Sequence, residues 1–177
     1  VDPAGTEVEV DGGALLLRPW RPADAPALVE ISRDAALRRW TSASVDDEAG
    51  AARWIEGRRL GWETGRSLGF AVVEPEADAI VGHVVLKGMA PGATGAEVGY
   101  WTAAPARGRA VAPRAVDALA AWAFATFPAL GHLDLLHQVD NAASCRVAQK
   151  CGFALRAVLP ADPPAYPLDG HRHVRPA

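Results

Sequence analysis

The stretch from Glu97 to Phe127 narrows the possible folds more than any other part of the chain. Glu97-Val98-Gly99-Tyr100-Trp101-Thr102 reads as a strand, Ala103 to Ala112 as a turn of small residues and arginines, and Val116, Leu119 and Ala123 recur at helical spacing. Pro113 suits the first turn of that helix, where its missing N–H costs nothing. A strand that passes through such a turn into a helix points successive backbone N–H groups into one space, with the helix dipole behind them. That is an anion site. Arg107, Arg109 and Arg114 lie between Val98 and Val116 with no acid among them, a local charge of +3 in a chain of net charge −3. A phosphate or pyrophosphate is the expected ligand. The phosphate loop of nucleotide hydrolases is excluded, because Gly-Lys-Ser/Thr is absent. The dinucleotide fingerprint is excluded as well, because Gly-x-Gly-x-x-Gly is absent.

Around this stretch the pattern alternates. Ala14 to Trp20 reads as a strand after a short frayed lead, Val1 to Gly13, and helical spacing follows from Ala23 to Arg33. Ser44-Val45-Asp46-Asp47 resembles an N-cap, with a helix running through Trp54, Ile55 and Leu60 until Gly65 stops it. Leu68 to Val73 and Ala79 to Leu86 form a hairpin around Glu74 to Asp78. After the Glu97 to Phe127 stretch come a strand at His132 to Val139, a helix at Asn141 to Cys151, a strand at Phe153 to Leu159 and a short strand at His171 to Val174. The order β-α-α-β-β-β-α-β-α-β-β predicts one mixed α/β domain over residues 14–177.

Composition agrees with one domain. The chain has 177 residues, 50% of them hydrophobic and 22% charged, enough apolar surface to offset the entropy of ordering. The slight acidity argues against a nucleic-acid partner. No apolar run is long enough for a membrane helix, and the first residues lack a signal-peptide pattern. Cys145 and Cys151 lie six apart in a predicted helix, about 240° around its axis, so they do not face one another. A reducing cytoplasmic setting is expected.

The second motif runs from Asn141 through Ser144, Lys150 and Gly152 to Phe153. It reads as a short helix with Asn141 as N-cap and Gly152 as C-cap glycine. Taken with Arg107-Gly108-Arg109-Ala110-Val111-Ala112, it resembles the GNAT superfamily of N-acetyltransferases, in particular its RimJ/RimL-like branch. The opening Leu16-Leu17-Arg18-Pro19-Trp20 and the strand Glu97-Val98-Gly99-Tyr100-Trp101 share the likeness, which spans Ala14 to Val174. One position departs: Ala110 stands where the signature has glycine. If φ there is positive, the strain is about 1 kcal/mol.

The resemblance implies a GNAT fold, acetyl-CoA as co-substrate and an amine as acceptor, in a monomer or homodimer. It implies that the strand at Glu97 to Ala103 splays from the strand at His132 to Val139. The pantetheine arm would lie between them on the backbone of Trp101, Thr102 and Ala103, with a backbone N–H near Thr102 for the oxyanion. Arg107, Gly108, Arg109, Ala110, Val111 and Ala112 would hold the pyrophosphate, and Asn141 would cap its helix and reach a pantetheine amide. Glu97 is the leading general base, directly or through water, and His137 on the neighbouring strand is the alternative. Ser144 would hydrogen-bond the leaving thiolate. Trp40 or Trp54 would line the acceptor wall. Asp46, Asp47 and Glu48, with the Asp162-Pro163-Pro164 loop opposite, would favour a cationic acceptor, a protein N-terminal α-amine ahead of a polyamine. Acetylation of an amine antibiotic is a further acceptor reading, and a catalytically silent CoA-binding module the non-enzymatic one. No metal is expected, since His171-Arg172-His173 shows no third ligand at a sensible spacing. Gly65-Arg66-Ser67-Leu68-Gly69 is no nucleophile elbow, because a helix precedes it and a strand follows.

Overall fold

The computed structural model describes residues 9–41 and 45–177. Eight strands form a single sheet in the order β1-β2-β3-β4-β5-β6-β8-β7. They are β1 (Val10–Asp11), β2 (Leu16–Pro19), β3 (Ser67–Glu74), β4 (Ala79–Lys87), β5 (Gly95–Thr102), β6 (His132–Gln138), β7 (Ala154–Leu159) and β8 (Gly170–Pro176). The helices are α1 (Ala25–Ser32), α2 (Ala35–Trp40), α3 (Glu48–Glu63), α4 (Val111–Thr126) and α5 (Ala142–Lys150). Every strand pair is antiparallel except β5 and β6, which α4 connects as a parallel crossover.

The sheet is covered on both faces, and strand alternation sorts side chains between them. Leu68, Phe70 and Val72 of β3 join Val84, Val98, Leu133 and Leu135 under α4, where Val116, Leu119, Ala120 and Ala123 are fully buried. The alanines of α4 let it approach the sheet closely. Ala71 and Val73 point the other way, into a smaller cluster with Leu28 and Val29 of α1 and Ala51 and Ile55 of α3. Each fully buried leucine or phenylalanine in these layers contributes about 1.5–3 kcal/mol. Among the described residues no helix is long and apolar enough to cross a membrane.

Several boundaries differ from the sequence reading for local reasons. Val10–Asp11 pairs with β2, so the lead is tied to the sheet there, while residues 1–8 lie outside those described. Asp34 caps the six-residue α2, accepting from Leu37 N at 2.9 Å, in a stretch to which the sequence pattern assigns no element. The expected cap at Ser44 lies outside the described residues. Asp47 caps α3 instead, accepting from Gly50 N at 2.6 Å. A buried two-pronged pair, Arg18 to Asp24 at 2.8 Å in both prongs, fixes the path from β2 into α1.

Candidate active site

The turn between β5 and α4 answers the question that the sequence left open at Ala110. Gly108 has φ +76° and Ala110 has φ +57°, ψ +25°, both left-handed. Nothing lies within 4 Å of where a Gly108 side chain would begin, so the backbone borders open space. Ala110 is the N-cap of α4, and Arg114 N donates back to its carbonyl at 3.3 Å. The amides of Val111 and Ala112 precede that ladder and are left for a ligand. The arginine cluster is less bare than the local sequence suggested. Arg107 pairs with Asp34 and Arg109 with Glu74, acids distant in the chain. Hydrogen bonding from Arg107 holds the Asp34 carboxyl below its ordinary pKa.

The sheet opens beside this turn. β5 and β6 pair from Gly95↔His132 to Val98↔Leu135 and then part. Beyond that point β5 stays bonded to β4 and β6 to β8. Ala103 N donates to Val81 O at 2.9 Å, so alternation turns the amides of Ala103 and Trp101 toward β4 and those of Thr102 and Tyr100 into the gap. The expectation of pantetheine amide contacts at Trp101 and Ala103 is corrected on this ground. Their N–H groups belong to the β4 ladder.

Across the gap stands α5. Asn141 caps it, accepting from Ser144 N at 3.1 Å. Tyr100 Oη donates to Ser144 Oγ at 2.9 Å, a bond from β5 to α5 over the opening. Burial pushes the Tyr100 phenol up to about 12, so it stays protonated as a donor and leaves the Ser144 proton free to point elsewhere. Tyr100 stood in the quoted strand motif without a role; its alternation with Thr102 was the signal.

Glu97 lies on the opposite face of β5, in line with Trp101, half-exposed and bonded to Lys87 Nζ at 2.9 Å. Trp101 is four residue steps further along the strand, about 13 Å. On that face a small pocket is lined by Leu28, Leu37, Val45, Trp54 and Trp101, with Ser32 and Thr41. Trp54 therefore lines the pocket. Trp40 is 38% exposed and carries the Arg39 guanidinium 4.7 Å from its ring centre. Behind the pocket Trp20, Trp54 and Trp101 surround His83, which the sequence reading passed over. Nδ1 of His83 meets both the Trp20 indole N–H at 3.0 Å and the Phe70 carbonyl at 2.8 Å, and its tautomer decides which it answers. Burial pushes this imidazole down to about 3, so it is neutral. Of the three acids expected to draw a cation, Asp46 is paired with Arg38 at 2.7 Å and Asp47 is spent on the cap.

His137 is not beside Glu97. It lies under α5 with His171, His173 and Cys145. Its Nδ1 bonds the Gln138 carbonyl at 2.8 Å, and burial holds its pKa below the ordinary imidazole value.

The described geometry can be matched to known proteins. Residues 14–154 match the model of the acetyltransferase (GNAT) domain family. The chain belongs to the GNAT family. No curated protein matches it. Among solved structures, a GNAT chain of the same shape is the Mycobacterium smegmatis RimJ in complex with CoA-disulfide. It is 23% identical, with TM-score 0.81 over 97% of this chain and 86% of that one. The Salmonella typhimurium acetyltransferase that modifies the N-terminal serine of a 50S ribosomal subunit protein is 17% identical, with TM-score 0.84 over 96% and 99%. The microcin C7 self-immunity acetyltransferase MccE, in complex with acetyl-CoA and AMP, is 18% identical, with TM-score 0.85 over 99% of both chains. At these identities the likeness shows the fold. The GNAT chain is an acetyl-CoA-dependent N-acetyltransferase.

Proposed function

We propose that this enzyme acetylates the N-terminal α-amine of a protein or peptide. The carrying observation is the parting of β5 and β6 after Val98↔Leu135, with Thr102 N–H on one wall and the Tyr100–Ser144 bond spanning the opening. Acetyl-CoA is the substrate for that gap. The turn at Arg107 to Ala112 receives its pyrophosphate, on amides at the start of α4 and the arginines released from Asp34 and Glu74. The amine lone pair attacks the thioester carbonyl carbon, and the oxyanion that forms takes the Thr102 N–H. When the tetrahedral intermediate collapses, the C–S bond breaks and the CoA thiolate leaves. The Ser144 hydroxyl, oriented by Tyr100, donates to that sulfur; a hydroxyl is too weak an acid to protonate a thiolate outright. The amine proton passes to water, and Glu97 takes it from there, since the carboxylate lies too far along β5 for direct contact.

The acceptor follows from pocket chemistry more than from charge. Its lining holds no carboxylate among the described residues. An α-amine, with a pKa near 8, needs little help to lose its proton, whereas an alkyl amine near 10 needs a dedicated base. The aliphatic and aromatic part of the lining favours the neutral amine further. The Salmonella typhimurium neighbour, which modifies the N-terminal serine of a ribosomal protein, adds weight to a protein acceptor. The reducing cytoplasm belongs to the same proposal, in keeping with two cysteines that are free thiols.

The test measures CoA release and acetyl position by mass spectrometry. Its acceptors are peptides with free N-termini, N-blocked peptides carrying a lysine, spermidine and an arylamine. Acetylation confined to free N-termini is expected. Turnover on the lysine peptide or the arylamine alone refutes the acceptor assignment.

A further inference from the structure

Under α5, three elements bring four metal-ligating side chains to one point. His171 and His173 alternate on β8 and face the same way, His137 of β6 lies directly opposite His171 in register, and Cys145 comes down from α5. Their donor atoms all lie within 4.8 Å of one another. His137 Nε2 is 3.2 Å from His173 Nε2, and Cys145 Sγ is 3.4 Å from His171 Nδ1 and 3.9 Å from His173 Nε2. A tetrahedral zinc ion, with Zn–N near 2.0–2.1 Å and Zn–S near 2.3 Å, needs its ligand atoms about 3.3–3.6 Å apart. The observed separations bracket that range.

We propose that His137 Nε2, Cys145 Sγ, His171 Nδ1 and His173 Nε2 form a zinc site of the His₃Cys type.

The surroundings suit it. His137 directs Nδ1 at the Gln138 carbonyl at 2.8 Å, an outer bond that places its proton there and leaves Nε2 with a lone pair for metal. His173 is 2% exposed, and its Nδ1 is buried without a hydrogen-bond partner among the described residues. That atom is not one of the proposed ligands; Nε2, which is, faces His137 Nε2 and Cys145 Sγ. Binding takes zinc from solution as a divalent ion and releases one proton, that of the Cys145 thiol. With four protein ligands the site is closed, so its role is to clamp α5 onto β6 and β8 and hold neighbouring Ser144 at the edge of the gap. His137 is then a ligand and no longer a base. Adjacency in sequence shows only His171 and His173; the other two donors arrive through the fold.

The test uses the full chain without any histidine tag and cobalt(II) as a spectroscopic probe. Saturation at one cobalt per chain is expected, with the visible bands of four-coordinate cobalt and a near-ultraviolet thiolate-to-cobalt band, all displaced by zinc. Cys145→Ser should remove the thiolate band, and His171→Ala should weaken cobalt binding by at least about tenfold. Zinc should raise the melting midpoint of the parent protein where magnesium does not, a reading that needs no variant. Absence of saturable cobalt binding, a six-coordinate spectrum, or a thiolate band that survives in Cys145→Ser overturns the proposal.

Discussion

Ala110→Gly tests the reading of the phosphate turn at its one irregular position. The backbone there has φ +57°, where a side chain crowds the following carbonyl. For an L-residue this costs about 1–2 kcal/mol. Glycine removes the crowding but loses more freedom on folding, about 0.5–1 kcal/mol relative to alanine. The difference is a net stabilisation of about 0–1.5 kcal/mol, centred near 0.75, or about 1.5–3 °C in melting midpoint at that centre for a domain of this size. The turn already holds its left-handed form without ligand, so most of the gain appears as stability and a smaller share as CoA affinity. Urea unfolding and calorimetric titration with CoA, run on the same preparations, separate the two. Ala110→Val is the counter-variant, since a branched side chain at this φ adds crowding and should lower the midpoint. If glycine destabilises the protein, the strain assignment fails. If glycine leaves stability unchanged and tightens CoA about fivefold, the free turn is not left-handed and the site is not preformed.

The thiolate donor is reached through Ser144→Ala, which should lower turnover about 10–100-fold, while Tyr100→Phe, which only loosens the serine, should cost about fivefold. An equal loss from both would make Tyr100 the direct donor. Glu97→Gln should reduce turnover by about a hundredfold and alter acetyl-CoA binding less; a rate profile with the parent's pH midpoint would assign the proton to water alone. Charge reversal at Arg107 and Arg109 together should weaken CoA binding at least about tenfold and flatten its dependence on salt, and unchanged affinity would remove the pyrophosphate assignment. For His83 the folded pKa is about 3 against an ordinary 6.5, so the unfolded chain binds a proton that the native ring refuses. Its contribution is present above pH 6.5 and declines by about 1.4 kcal/mol per unit as pH falls toward 3. His83→Gln should lessen that slope by one proton in urea unfolding between pH 4 and 6.5, and an unaltered slope would place the titration elsewhere.

The sequence was most informative where the physics is local. Strand and helix periods, Pro113 in the first turn of α4, the Asn141 cap and the positive φ of Gly152 are properties of neighbouring residues, and all were legible. Short elements were not. A two-residue strand at Val10–Asp11 and a six-residue helix at Ala35–Trp40 are too brief to display a period. In the site the same limit applies across the chain. Arg107 and Arg109 could be seen as a cluster, but Asp34 and Glu74, which pair with them, stand 73 and 35 residues away. Tyr100 and Ser144 each stand in a motif, and only the folded chain shows that they touch. His83 reads as one more strand residue until Trp20 and Trp54 close around it.

Sheet order has a consequence for how the molecule holds together. From β1 to β5 each strand neighbours the next in sequence, and β6, β7 and β8 form a second local group. Within the sheet, only four residue pairs between β5 and β6 join the two. The β5–β6 pairs close 37 residues through the α4 crossover, fewer than the 51–57 that separate paired residues of β2 and β3, so the join is set apart by how few pairs hold it and not by distance along the chain. In the proposed function acetyl-CoA enters at the end of that join and touches both groups. Bound there, acetyl-CoA would be a cross-brace as well as a reactant, and amide hydrogens along the β5–β6 join should slow their exchange more than those at the middle of the β3–β4 ladder when it binds.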